Sequence, residues 1–128
     1  MDNPIRVFVV DDDPKLLSVW ERFLKKRPGV ECVGTSLGDI TLATIITEAR
    51  AQVAILDLSI PDIDPLDVIS ELAQGTEPTR VLVYSGRSDI GLAEKLEQAG
   101  AWGFADKLEN PHTVVERIRR IADGQKAF

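Results

Sequence analysis

The chain has 128 residues, enough for one domain with its own core, and its 44% apolar and 28% charged residues describe a globular protein, neither disordered nor fibrous. A formal charge of −6 disfavours nonspecific binding to nucleic acid or to anionic membrane, and the one cysteine, Cys32, cannot form an internal disulfide. A reducing cytoplasm therefore fits best, the sequence reads without a signal peptide, and no apolar run approaches a membrane span.

Residues 5–10 are apolar except for Arg6 and read as a buried strand. Three carboxylates follow at once, in Val9-Val10-Asp11-Asp12-Asp13-Pro14. Like charges side by side cost Coulomb energy, most of all beside a dry strand end. A divalent cation would remove that cost, and oxygen-only ligands point to Mg²⁺ or Ca²⁺. The alternative is a solvated turn, and Asp13 is expected only to cap the helix that opens at Pro14. In that helix Leu16, Trp20, Phe23 and Leu24 form an apolar stripe, ended by Pro28-Gly29. The aromatic pair Trp20 and Phe23 reads as core.

Strand-like runs recur at 31–35, 53–58, 80–84 and 102–105, short and rich in β-branched residues. Cys32, inside the second run, reads as a buried small hydrophobe. Helical stripes lie between and after the runs: Leu42, Ile45, Ile46 and Ala49; Leu66, Ile69 and Leu72; Leu92, Leu96 and Ala99; Val114, Val115, Ile118 and Ile121. Gly75 and Gly100 are expected to close the third and fourth helices, and Asn110-Pro111 to open the fifth. His112 reads as an exposed residue of that first turn. Strands alternating with helices predict an α/β fold with a doubly wound five-stranded parallel sheet, in a single domain over 1–128.

In such a sheet, chemistry gathers at the carboxyl ends of the strands. Those ends carry Asp11-Asp12, Asp57, Ser85-Gly86 and, after the fifth strand, Lys107. Asp57 ends an apolar strand with no helix to cap, which leaves it little structural purpose. Lys107 alone would read as a surface lysine, Ser85 as a turn hydroxyl and Phe104 as plain core.

Four stretches together carry a family resemblance: the acidic triplet, Ala54-Ile55-Leu56-Asp57-Leu58-Ser59-Ile60-Pro61, Val81-Leu82-Val83-Tyr84-Ser85-Gly86, and Ala99-Gly100-Ala101-Trp102-Gly103-Phe104-Ala105-Asp106-Lys107. Over essentially its whole length the chain resembles the receiver domain of bacterial two-component response regulators. The resemblance implies a flavodoxin-like (βα)5 sheet of order 2-1-3-4-5. It implies that Asp57 accepts a phosphoryl group from the phosphohistidine of a sensor histidine kinase, with Mg²⁺ as cofactor. Asp12 would be a direct metal ligand, Asp11 would hold a metal-bound water, and Ser59 would offer its backbone carbonyl. Lys107 would pair with Asp57 and then with the phosphoryl oxygens, while Ser85 and Phe104 would be the switch pair. Ser59 and Arg87 would tune dephosphorylation, with Arg87 slowing hydrolysis. The surface of helix four, strand five and helix five would change, with homodimerisation on phosphorylation as one outcome.

The chain departs from the pattern in three places. No proline follows Lys107, where Leu108 and Glu109 stand; Asp64-Pro65 replaces the usual glycine; and Gly86 follows the switch hydroxyl. A haloacid-dehalogenase-like phosphatase is the enzyme alternative, but it needs a second aspartate where Ser59 stands. A pseudo-receiver that only binds a partner would not need the whole set Asp12, Asp57, Ser85 and Lys107. The final segment, from Val114 to Gln125, resembles receivers of the NarL/FixJ type. On that resemblance a helix-turn-helix DNA-binding domain would follow in a longer parent, giving a transcriptional output while this domain itself contacts neither nucleic acid nor membrane. A stand-alone receiver is the other possibility.

Overall fold

Short β-branched runs and the amphipathic stretches between them build an alternating α/β chain, described in a computed structural model over residues 3–86 and 91–128. The elements are β1 (Ile5–Val10), α1 (Pro14–Lys25), β2 (Val30–Ser36), α2 (Leu42–Glu48), β3 (Val53–Asp57), α3 (Pro65–Leu72), β4 (Arg80–Ser85), α4 (Leu92–Ala99), β5 (Gly103–Asp106) and α5 (Pro111–Ala122). The strands form one sheet of order β2-β1-β3-β4-β5, and every neighbouring pair is parallel. Order and fold class agree with the sequence expectation. Among the described residues no helix is long and apolar enough to cross a membrane.

Side chains alternate across a strand, so the sheet divides the core in two. Val7, Val9, Ile55, Leu82 and Ala105 face one side, where Leu17, Trp20 and Leu24 of α1 and Val115, Ile118 and Ile121 of α5 cover them. Phe8, Val10, Leu56 and Val83 face the other, beneath Leu42 and Ile46 of α2, Val68, Ile69 and Leu72 of α3, and Leu96 of α4. Central β3 is buried along its whole length. Burial on both faces explains why the strands read as apolar runs without alternation.

One device starts three of the helices. Asp13, Asp64 and Asn110 each accept a hydrogen bond from the second residue after them, at 2.9, 3.0 and 2.9 Å, and a proline follows each as the first helical residue. The side-chain oxygen satisfies an orphan N–H, and proline has no N–H to leave orphaned. The Asp64-Pro65 departure is therefore a helix start of the same type as its two neighbours. Gly100 closes α4 with a left-handed φ of 113°, as expected.

Several boundaries and burials differ from the sequence reading. β2 extends to Val30 and Ser36, β3 stops at Asp57 rather than Leu58, and β5 lies one residue later than 102–105. Asp57 Oδ1 accepts the Ser59 N–H at 3.0 Å, so the chain turns at Leu58 instead of continuing the ladder. α3 ends at Leu72 with Ala73 as its cap, and Gly75 takes its left-handed φ of 101° only further along the turn. Ile45 and Leu66 lie in the expected stripes yet are exposed, while Leu17 and Val68 are buried in their place. Cys32 is only half-buried, because β2 is the edge strand and packs at the rim of the core. His112 is exposed, as read from its first-turn position.

Candidate functional site

The period of two that builds the core also aims the charged groups beyond it. Asp11, Asp57 and Lys107 stand two residues past Val9, Ile55 and Ala105, so all three continue one face of the sheet at its carboxyl edge. Strand order then brings β1 and β3 side by side, and register pairs Val10 with Leu56 directly before the two aspartates. A turn after β5 returns Lys107 over them, fixed by its own N–H donating to Ser85 O at 3.0 Å.

The side chains meet. The Lys107 ammonium donates to Asp57 Oδ2 at 3.2 Å and to Asp11 Oδ2 at 3.3 Å. Asp11 and Asp57 are 2% and 1% exposed, a burial that ionised carboxylates sustain only with partners. Their other oxygens accept backbone N–H groups, Asp13 N to Asp11 Oδ1 at 2.9 Å and Ser59 N to Asp57 Oδ1 at 3.0 Å. Asp12 is exposed, yet one carboxylate oxygen from each of Asp11, Asp12 and Asp57 lies within 4.8 Å of the others, a cluster that could hold a metal ion. All donors are oxygen, and the set is open on one side, which suits a hard cation that keeps waters.

The charges are unevenly compensated. Burial pushes the Asp11 carboxyl up from its ordinary value, helped by the neighbouring Asp57, and the Asp13 N–H and Lys107 only partly restore it. For Lys107 partial burial pulls the other way, but the hydrogen bond to Asp57 and the charges of Asp11 and Asp57 outweigh it and hold the ammonium above its ordinary value. One lysine is shared by a cluster of three carboxylates. That deficit of positive charge is what a divalent cation would fill.

The remaining expected residues are placed differently. Ser85 ends β4 fully buried, on the face opposite Asp57 in strand parity, and its Cα pairs with Asp106. Phe104 is half-buried against the second core cluster, two residues along β5 from Asp106. Ser59 is exposed and is joined to the site by its backbone N–H. Arg87 lies outside the described residues. The Lys107–Leu108 peptide is trans, as are all peptides among the described residues.

One contributor escaped the sequence reading. Tyr84 is 6% exposed and packs edge-on against Trp20 with ring centroids 5.6 Å apart. Its ring centroid lies 5.8 Å from Lys107 Nζ, within cation–π range, and its hydroxyl makes a long contact of 3.4 Å to Lys107 O. Tyr84 therefore backs the lysine from the core side. Its signal was available: as the residue before Ser85 at the end of a buried strand, it must face the same side as Asp57 and Lys107.

Comparison with known proteins shows the family of this chain. Residues 7–119 match the family model described as "Response regulator receiver domain". The virulence-factor transcription regulator BvgA of Bordetella pertussis is 32% identical over 96% of this chain, which covers 58% of that protein. A putative transcriptional regulator of Pseudomonas aeruginosa is 37% identical over 96% of this chain and 59% of its own length. The response regulator UvrY of Escherichia coli is 30% identical over 95% of this chain and 56% of its own. The chain thus spans a little over half the length of these relatives. Among solved structures, the signal receiver domain of the putative response regulator NarL from Mycobacterium tuberculosis superposes with a TM-score of 0.88 at 28% identity, covering 96% of this chain and 99% of that one.

Proposed function

The chain belongs to the response-regulator receiver family, and we propose that within it Asp57 is the phosphoacceptor of a Mg²⁺-dependent signalling switch. The observation that carries this reading is the contact of buried Asp57 with Lys107 at 3.2 Å, inside an oxygen-only cluster with Asp11 and Asp12. A carboxylate oxygen of Asp57 attacks the phosphorus of a phosphohistidine on a partner kinase. The P–N bond breaks, the imidazole nitrogen keeps its electron pair, and an acyl phosphate remains on Asp57.

Asp12 and Asp57 would hold Mg²⁺ directly, the Ser59 backbone carbonyl would join them, and Asp11 would act on the ion through water. When bound, the ion neutralises phosphoryl oxygens as charge builds on them. Lys107 moves from the carboxylate to a phosphoryl oxygen, where a fixed ammonium stabilises charge in a partly dry site. Ser85 then donates its hydroxyl to the phosphoryl group, and Phe104 exchanges between outward and inward rotamers. The face made by α4, β5 and α5 changes as a result and serves the output, including homodimerisation. Ser59 and Arg87 tune the later hydrolysis of the acyl phosphate, and Arg87 slows it. No reaction is catalysed on a released substrate.

The output we propose is transcriptional, through a DNA-binding domain in a longer parent, because the relatives it matches are named as transcription regulators and are longer than this chain. The cytoplasm is the compartment such a switch and the unpaired Cys32 would share. A phosphatase of the haloacid-dehalogenase kind gains no support, since exposed Ser59 stands where its second acid would be. The test is intact-protein mass after incubation with acetyl phosphate and Mg²⁺. Wild type should gain one acid-labile phosphate and Asp57→Asn none, since an amide cannot act as this nucleophile. Phosphorylation of Asp57→Asn at the wild-type rate would displace the assignment, and a wild type inert to beryllofluoride as well would be a pseudo-receiver.

A further inference from the structure

The chain does not end with α5. After Gly124 it turns back and bridges Ala127 to the outer edge of β5, which like β2 is an edge strand of the sheet. Ala127 bridges Gly103 in parallel: the Ala127 N–H donates to Trp102 O at 2.8 Å, and the Phe104 N–H donates to Ala127 O at 3.2 Å. Ala127 is 1% exposed. Its neighbour Lys126 pairs with Glu97 of α4 at 3.1 Å and lies over the Trp102 ring. A Cβ on Gly103 would come within 2.9 Å of Ala127 O, so glycine at that position is what lets the tail approach so closely. Lys126 and Ala127 thus reach α4 and β5, and the Gln125 N–H donates to Arg120 O of α5 at 2.9 Å.

A second connection runs from the tail to the acidic site. Arg117 of α5 donates through Nη1 to Ala127 O at 2.8 Å. The same guanidinium holds Glu109 in a bidentate pair, at 2.7 and 3.1 Å. Glu109 stands two residues after Lys107, whose ammonium pairs with Asp57 and Asp11, and its own N–H donates to Asp106 O at 2.9 Å within the same turn. The carbonyl of Ala127 therefore receives one hydrogen bond from β5 itself and another from a side chain anchored on the Lys107 turn.

We propose that residues 125–128 form a strap over the α4–β5–α5 face, and that its docking is coupled to the occupancy of the Asp57 site through Lys107, Glu109 and Arg117. The proposal deepens the phosphoacceptor reading and rests on it. Transfer of Lys107 to a phosphoryl oxygen draws the turn with it, Glu109 carries the guanidinium along, and Ala127 loses that hydrogen bond. A rotamer change at Phe104 strains the other bond at the same time. Edge strands need a cover, and this one rests on three hydrogen bonds at Ala127, the exposed Lys126–Glu97 pair and one buried alanine, so little apolar burial resists its release. Coupling is reciprocal, so loosening the strap must favour the occupied site by the same factor.

The experiment is residue-resolved amide exchange by NMR on the full chain, with and without Mg²⁺ and beryllofluoride. The amides of Ser59 and Lys107 report the site, and those of Ala127 and Phe104 report the strap. Filling the site should lower protection at Ala127 and Phe104 by at least about fivefold. In Glu109→Gln, which keeps the size but not the charge, that drop should largely disappear. Ala127→Glu, which cannot be buried against β5, should bind beryllofluoride at least about fivefold more tightly than wild type. If Ser59 and Lys107 respond while Ala127 and Phe104 do not, the strap is a passive edge cover and the phosphoacceptor reading stands alone. An undiminished strap response in Glu109→Gln overturns the proposed route. Silence at all four amides overturns the phosphoacceptor reading, and the coupling with it.

Discussion

The two poles of the sheet handle charge in opposite ways. At the amino pole Arg6, Gln52, Thr79 and Arg80 surround an open cavity of about 930 Å³, and their polar groups are matched locally. Arg6 donates to Ala49 O and Arg50 O at 2.8 and 3.1 Å, and Arg80 donates to Ile121 O at 2.8 Å while its guanidinium stacks on Trp102. Cations there sit against the carboxyl ends of α2 and α5, where the helix dipole and unpaired carbonyls favour them. Thr79 Oγ1 donates to Ala51 O at 2.8 Å. This cavity is thus a groove among helix-end contacts already made. At the carboxyl pole Asp11, Asp12 and Asp57 cluster around one lysine and no comparable groove is needed. The amino pole has its charges matched, and the carboxyl pole is left short of positive charge, in a cluster that could hold a metal ion.

Breaking the carboxyl pole should have the largest effect. Asp12 is exposed, so Asp12→Ala should keep the fold but lower Mg²⁺ affinity by more than about tenfold and suppress phosphorylation with it. Isothermal calorimetry with Mg²⁺ measures this directly. Affinity unchanged from wild type would mean that the acidic cluster is not the metal site.

Breaking the amino pole should change stability and leave the chemistry alone. Arg80→Ala removes the charged hydrogen bond to Ile121 O and the stack on Trp102, so unfolding should become easier by about 1.5–3 kcal/mol. The rate of phosphorylation by acetyl phosphate should stay within about twofold of wild type. Denaturant unfolding and mass spectrometry on the same sample check both halves. A mutant as stable as wild type, or one slow to phosphorylate, would erase the contrast between the poles.

The smallest effect has the opposite sign. Since burial and Asp57 raise the Asp11 carboxyl above its ordinary value near 3.8, the folded state binds the proton more tightly than the unfolded state does. Ionised Asp11 therefore costs stability. The cost is absent below the unfolded value, grows as pH climbs from it through the raised folded value, and is complete above that. Asp11→Asn without metal should be more stable than wild type at pH 7 by about 1 kcal/mol or less, and the gain should vanish toward pH 3. A gain that persists at low pH would belong to packing rather than charge.

Much of this contrast was legible in the residues. Asp57 at the end of an apolar strand and the Asp11-Asp12 pair stood out, because a buried parallel strand announces its own end, while Lys107 took its role from the family resemblance. Tyr84, Glu109 and Arg117 did not, because each acts through a partner eight or more residues away, beyond one strand or helix period. Ile45 and Leu66 misled for a related reason: an apolar residue at helical spacing looks the same whether or not a neighbouring helix covers it.

By itself the sequence determined the alternation of strands and helices, the cap–proline starts at Asp13 and Asn110, and which residue types end each strand. These depend on local sterics and on a period of two or 3.6, which any short window contains. Only the tertiary structure decided that Lys107 stands 3.2 Å from Asp57 and 3.3 Å from Asp11. It alone folded Ala127 back onto Gly103, and placed Arg117 between that tail and Glu109. Those contacts depend on strand order and on crossovers that bring distant segments together, and no local window of sequence contains that information.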